Sequence, residues 1–534
     1  MTELRAPGRR FWAFGGMAWA CLALLGCGER KAFWDLPATS GEPIGLRGAV
    51  AIPDLPRNEL LMLTSPGQGE LNVTRLPVGQ NIVAAVPSRD LEHLYVLTRG
   101  QQRRVNEADE KPRLSVFKTG VAPALEQTYS LEDPAQKITL DPQGDWAVVY
   151  DSGGVVVNVN EFVLVDLAHP DRAPIPKTIR STGGRPEQFT FTTALQVPGS
   201  GPHRFLVVET DQDVAVMDLE APEAPEVTAP VPSTTLPGAS QGKPAHPAQV
   251  VYVDASEETP AYLAVRFAND ASVMTLELAE GATSAHAFSL RPNLLDAGDV
   301  ASTIDFVQTD HGLRLAVLVP NRSQAVLIDP TTSRSEKVQF GAKFAGMARI
   351  TGLSGEDEGT ADVALLYGPG TSSIAFWRLG DAGAAPYASF DLYGTSVPVA
   401  SIMNVPGNEY GYMKLLLSSD GVSFSLLDLK SRLSYAMQAL QGFNVSFSPD
   451  GERVWAYPQY SPRFARLNLS DKHPTSYDVE LPVTRVFEVN RADGGKSALV
   501  LHGGSGDWGV TLFDADRPDS AQTTFKSGLI LEGI

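Results

Sequence analysis

The chain has 534 residues, with 62 acidic against 43 basic side chains and a formal net charge of −19. Acidity on that scale argues against a nucleic-acid partner and against electrostatic docking on anionic lipid heads. A composition of 43% hydrophobic and 20% charged residues is globular, 48 Gly and 39 Pro imply many turns, and two cysteines exclude a disulfide framework.

In chain order, the first element is a secretory signal. Arg5, Arg9 and Arg10 form a positive start, and an apolar run follows from Phe11 to Gly26. The run is short for a membrane span of about twenty residues. Leu24-Leu25-Gly26-Cys27 resembles the lipobox of bacterial lipoproteins, with Leu at −3, Gly at −1 and the cysteine that takes the lipid. The resemblance implies a signal peptide over residues 1–26, lipidation of Cys27 and anchoring to a membrane through that lipid. An uncleaved helix, or an ordinary secretory signal with an incidental cysteine, are the alternatives. Cleavage would remove Glu3, Arg5, Arg9, Arg10 and Cys21, leaving Cys27 as the one cysteine and a net charge of about −21. Gly28 and Glu29 supply no Asp at +2, which points to the outer membrane. Residues 27–45 are expected to be a lipidated tether.

From residue 46 to 534 the sequence repeats a pair of apolar runs. LLMLTS leads to LNVTRL, LYVLT to LSVFK, and ITLDPQGDWAVVYD to FVLVDL. Further pairs start at Phe205, Tyr262, Leu315, Val363, Lys414 and Ala498. The clearest copy is Phe443–Asp471. There an alternating strand (Val445, Phe447) meets the turn Ser448-Pro449-Asp450-Gly451, a second strand (Val454–Tyr457) and a third (Phe464–Leu469). Pro presets φ and Gly accepts positive φ, so this is a turn between strands of a meander. One position, taken as a marker of the third strand, holds Arg75, Lys118, Asp166, Asp218, Glu277, Asp329, Arg378, Asp428, Asn468 and Asp514. Nine steps from 75 to 514 average about 49 residues, the length of one four-stranded unit.

These copies, with the turns Ser448–Gly451 and Asp141–Gly144, resemble β-propellers of the WD-repeat, YVTN and TolB-like kind. No copy carries the Gly-His and Trp-Asp pairs of true WD repeats. The implied fold class is all-β: a propeller of four-stranded blades, about ten by count, with a ring of seven or eight blades or two smaller rings as alternatives. Thr228–Pro247 reads as an exposed loop, and Gly355–Gly359 as an acidic hairpin tip.

The search for chemistry gives no catalytic, cofactor or metal residue. Gly503-Gly504-Ser505-Gly506-Asp507 misses the nucleophile-elbow pattern at its last position. The eight histidines, His93, His169, His203, His246, His286, His311, His473 and His502, are all at least five residues apart, so no local zinc pair exists. Strand-end Asp166, Asp218, Asp329, Asp428 and Asp514 are read as turn caps, and Trp146, Trp377 and Trp455 as packing between blades. No cofactor is expected. A site assembled across the central mouth would unite residues that are distant in sequence.

The expected function is therefore an exported lipoprotein whose propeller binds a protein or envelope polymer. The alternative is a propeller enzyme, either a lactonase-like hydrolase or a quinone-dependent dehydrogenase.

Overall fold

The computed structural model describes residues 39–101, 106–120, 122–151, 159–179, 184–233, 244–281, 286–350, 362–379, 388–391, 398–407, 410–421, 423–437, 444–504, 507–517 and 522–525. Cys27 and the signal lie outside the described residues, as do Gly355–Gly359, Ser505 and Gly506.

Among those residues the chain is almost wholly β, with one 3-10 turn at Pro320–Arg322. Eight antiparallel four-stranded meanders cover residues 44–77, 82–130, 137–178, 186–230, 247–296, 303–339, 346–391 and 399–436. The seven strands that follow form one sheet in sequence order. Its long strand, Pro474–Asn490, has 17 residues and serves two meanders. Its first part pairs with Ser461–Asn468 and closes a ninth, while Val483–Asn490 pairs with Lys496–Gly504 and opens a tenth.

The ten meanders are blades of one closed ring. Among the described residues ten buried apolar clusters occur, and each is shared by two adjacent blades of the ring. The tenth joins the ends: Val50, Ile52, Leu61 and Leu63 of blade 1 pack on Val489, Leu499, Leu501, Val510 and Leu512 of blade 10. An open fan of ten blades would have nine such seams. Ser65 Oγ to Ser497 Oγ (2.8 Å), Arg47 O accepting from Asn490 N (2.7 Å) and the Arg485–Glu42 ion pair (2.6 Å) cross the same seam. Closure hides sheet edges that a single four-stranded sheet would leave open. The chain is thus a ten-bladed β-propeller, matching the repeat count.

First strands of neighbouring blades lie side by side around the axis, Pro247–Val253 beside Thr303–Thr309 for example. The Gln249 amide pins these two, donating to Ile304 O (3.0 Å) and accepting from Ile304 N (3.1 Å). Second and third strands have neighbours on both faces and are mostly buried, wholly so in Trp146–Tyr150, Gln324–Ile328 and Phe424–Asp428. That two-sided burial produces the continuous apolar runs seen in the sequence.

Three local expectations need correction. Arg75 lies on the fourth strand of blade 1 (Asn72–Pro77), whereas the other markers sit on or just past third strands. The short strand Val50–Asp54 is this blade's second, so Glu59–Thr64 is its third. The expected tether joins the blade earlier than residue 46: Ser40 bridges Asp54, and Ile44–Gly45 is the first strand. The loop expected at 228–247 begins with a fourth strand, Val227–Pro230, and Ser233 bridges Pro244.

Candidate functional site

The strand-end aspartates do what turn chemistry asks of them. Asp329 accepts from the backbone N–H groups of Thr331 (2.9 Å) and Thr332 (3.0 Å). Asp428 accepts from those of Lys430 and Ser431, and Asp514 from those of Asp516 and Arg517. Asp166 accepts from His169 N, at 3.0 Å. The tryptophans are inter-blade packing: Trp377 meets Phe340 edge-on at 5.4 Å, and Trp455 meets Phe513 at 6.0 Å. Among the described residues no group of three or more His, Cys, Asp or Glu could hold a metal ion.

Several of them also hold a side chain: Asp428 pairs with Lys472 (2.6 Å) and Asp166 meets the exposed His169 ring (3.1 Å), while Asp218 differs in holding a histidine that also reaches a serine hydroxyl. Blade 4 opens with the hairpin Pro186–Val197 and Gly201–Thr210. Its connection, Val197-Pro198-Gly199-Ser200, is a turn with Ser200 N donating to Val197 O (3.2 Å) and Gly199 at φ +78°. Pro at the second position and a positive-φ Gly at the third are the type II pattern. Gly201, at φ +96°, then swings the chain into the next strand. Ser200 is left exposed at the tip.

Strand alternation places the other two groups. His203 and Phe205 share one face of their strand, and Phe205 stands opposite Asp218 on the third strand, Asp213–Asp218. His203 and Asp218 are therefore diagonal neighbours on a common face. His203 Nδ1 lies 2.8 Å from Asp218 Oδ2, and His203 Nε2 lies 2.7 Å from Ser200 Oγ. An ionised carboxylate can only accept, so Nδ1 carries the proton and Nε2 accepts from the serine hydroxyl. The other carboxylate oxygen accepts from Glu220 N (2.9 Å), which fixes the aspartate. His203 and Asp218 side chains are 14% and 7% exposed, enough shielding to hold their geometry while Ser200 faces outward. Arg204, on the opposite face, pairs instead with Asp141 and Asp145 of blade 3.

The chain of three lines a cavity of about 520 Å³ between blades 4 and 5. Its apolar wall includes Phe288, which meets Phe205 edge-on at 4.8 Å, and its acidic rim includes Glu220 and Glu280. A carboxylate-oriented histidine beside a hydroxyl can withdraw the hydroxyl proton as the oxygen attacks an electrophilic carbon. Read from the sequence, His203 and Asp218 stand apart and Ser200 has nothing to single it out. The available signal was a Pro-Gly-Ser-Gly turn with His three residues beyond the serine.

The same seam carries a buried carboxyl at the opposite ends of its strands. Burial pushes Glu209 up to about 7, against the pull of Thr190 and Arg266.

No family model matches the sequence, and a search of curated proteins finds no match. Among solved structures, the chain is similar to the dihydro-heme d1 dehydrogenase NirN in complex with DHE, at 11% identity over 87% of this chain and 85% of that one, TM-score 0.36. It is also similar to a catalytically inactive virginiamycin B lyase from Staphylococcus aureus with quinupristin, at 12% identity over 62% and 90%, TM-score 0.32. Hsv2 of Kluyveromyces lactis matches at 9% identity over 75% and 98%, TM-score 0.32. At these identities and TM-scores the similarities carry no argument about function.

Proposed function

We propose that this chain is an exported lipoprotein, held at the outer membrane through Cys27, whose propeller binds a protein or envelope polymer at the cavity between blades 4 and 5. The observation that carries the reading is that cavity. Two adjacent blades build it, and polar groups converge on an apolar wall, as recognition sites commonly do. The anchor rests on the signal and on the Leu-Leu-Gly-Cys sequence that ends at Cys27. Between Cys27 and Ser40, residues 28–39 would span at most about 40 Å when fully extended, so an acylated Cys27 keeps the ring close to the membrane surface. Its excess of negative charge keeps nucleic acid away.

Two measurements test this. In cells of a lipoprotein-processing bacterium, Cys27→Ser should remove labelled palmitate from the chain and release it from the membrane fraction. Equal labelling and equal fractionation of variant and parent refute the anchor. A photo-crosslinking residue at position 280, on the cavity rim, should capture a defined envelope component that a crosslinker at Glu126, on the outer strand of blade 2, does not. Identical capture from both positions refutes the cavity as the binding place. A second reading, an enzyme, is favoured by the Ser200–His203–Asp218 chain.

A further inference from the structure

We propose that Ser200, His203 and Asp218 form a nucleophile, a general base and a positioning carboxylate that hydrolyse short-chain acyl esters in the cavity between blades 4 and 5. This inference rests on the cavity of the preceding reading and not on its membrane anchor.

The order of contacts is the one acyl transfer needs. The outermost member is a hydroxyl exposed at a turn tip, next comes an imidazole, and the innermost is a carboxylate fixed by a backbone N–H. The imidazole is held at both nitrogens, by Asp218 at 2.8 Å and by Ser200 at 2.7 Å, and its side chain is largely buried. Of the two glycines beside the serine, Gly199 faces the Glu280 side chain and Gly201 leaves its flank clear. A side chain at position 201 would point into open space, so nothing of the hairpin crowds that flank of the hydroxyl.

The step balances with water as the only co-reactant. Ser200 Oγ bonds to the ester carbonyl carbon while its proton passes to His203 Nε2. The carbon–oxygen bond to the alcohol then breaks, and the alcohol leaves with that proton. A water molecule gives a proton to Nε2 and its oxygen to the acyl carbon. The acid departs, and Ser200 recovers its hydrogen. Asp218 keeps Nδ1 as the protonated nitrogen throughout and steadies the imidazolium that forms transiently.

The cavity also sets the substrate class. About 520 Å³ with a Phe288 wall and small neighbours (Ala221, Ala224, Ala287) admits a short acyl group. Glu220 and Glu280 at the rim repel anions, so a neutral or cationic ester is favoured over a phosphorylated or carboxylated one.

The test uses the full chain purified in detergent, with a fluorophosphonate as covalent probe and p-nitrophenyl acetate as substrate. The expected result is one phosphonyl adduct per chain on the peptide containing Ser200, together with p-nitrophenol release. Ser200→Ala should abolish the adduct and lower the rate by about 10²-fold or more, and His203→Gln should lower it comparably and remove one limb of the pH–rate profile. Asp218→Asn keeps an oxygen for the turn but presents an amide to the ring. It should lower kcat by at least about tenfold at unchanged KM and unchanged melting temperature, a pattern that a merely structural role would not give. Ser200 is exposed, so Ser200→Ala will fold, and a melt of that variant checks it. A parent chain that takes no phosphonyl group, or hydrolyses no faster than Ser200→Ala, overturns the proposal. Crosslinking at position 280 that persists in that case leaves the binding reading standing alone.

Discussion

Trp455 sits where the ring is most tightly specified, and its removal should be the most damaging single truncation in the last two blades. The indole is fully buried among Phe464, Tyr477 and Phe513, and its Nε1 donates to Glu488 Oε2 at 3.0 Å. The other oxygen of Glu488 accepts from Arg453 (2.9 Å), so the carboxylate is held by two donors from blade 9 while it belongs to the first strand of blade 10. Trp455→Ala removes a large aromatic from a packed seam, about 3–5 kcal/mol. It also strips Oε2 of its donor at a buried site, about 1–3 kcal/mol. Trp455→Phe keeps most of the packing and loses only the donor. The two variants should therefore separate, at about 4–8 and about 1–3 kcal/mol. Denaturant midpoints at constant m-value, read by far-ultraviolet circular dichroism, measure both. If Trp455→Ala stays within about 1 kcal/mol of the parent, blades 9 and 10 do not share this core. If Trp455→Phe is as damaging as Trp455→Ala, the lost hydrogen bond outweighs the lost packing and the reasoning fails.

Gly451, in the hairpin turn of blade 9, has φ +75°, and a Cβ there would stand 1.8 Å from Pro406 O of blade 8. Gly451→Val should therefore destabilise by more than about 2 kcal/mol, combining the left-handed strain with a backbone collision. Its neighbour Glu452, half exposed and paired with Lys496, should tolerate Ala within about 0.5 kcal/mol; equal small effects at both would remove the turn from its place in the ring. Stability should also depend on pH in a definite direction. Burial pushes Glu488 from 4.5 up to about 7, against the pull of Arg453, so its contribution is complete below about 4.5 and is lost as pH rises through about 7. At 1.36 kcal/mol per unit that loss is of the order of 3 kcal/mol, and Glu209 acts with the same sign. Asp450 works the other way. Partial burial pushes it up, yet Lys496 and Ser448 bring it down to about 2, so its contribution fades as pH falls from 3.8 towards 2. Melting temperatures from pH 3 to 8 should peak near pH 4–5, and Glu488→Gln should flatten the limb between 5 and 7; a parent that gains stability across that limb contradicts the burial argument.

Blade number was legible in the sequence because one physical condition repeats in every blade. Middle strands touch a neighbour on each face, so Glu59–Thr64, Trp146–Tyr150 and Arg453–Tyr457 can hold few exposed polar groups and stand out as apolar runs. Outer strands obey no such rule. Ala124–Ser130 is mostly solvated, and nothing in ALEQTYS marks it as a strand. Blade 1 is offset by one strand from its sequence pattern for a related reason: its second strand contains Pro53, and its first has two residues. The turn Ser448–Gly451 was readable because its φ requirement falls on a glycine. Ser200, His203 and Asp218 were not, because the relation among them is diagonal across two hairpins, and Asp218 occupies a slot where most blades also have an acid. Asp166 also caps a turn and meets a histidine ring, so what sets Asp218 apart is the serine hydroxyl on the far side of its histidine.

The closing seam has a consequence for how the chain must be made. Each blade is a contiguous stretch, so blade n finds its partner as soon as blade n+1 emerges, except at the first blade's outer flank. The face bearing Val50, Ile52, Leu61 and Leu63 finds its mate only when Val489 and the strands after it arrive, more than 400 residues later. At about 5–20 residues per second, that flank waits roughly 20–90 seconds during synthesis. Throughout that interval the nascent molecule is an open arc whose first blade keeps an uncovered apolar flank, able to meet the open flank of another unfinished copy. Slower elongation, or truncation anywhere before blade 10, should therefore show itself as aggregation of a nearly complete protein rather than as loss of its earliest blades.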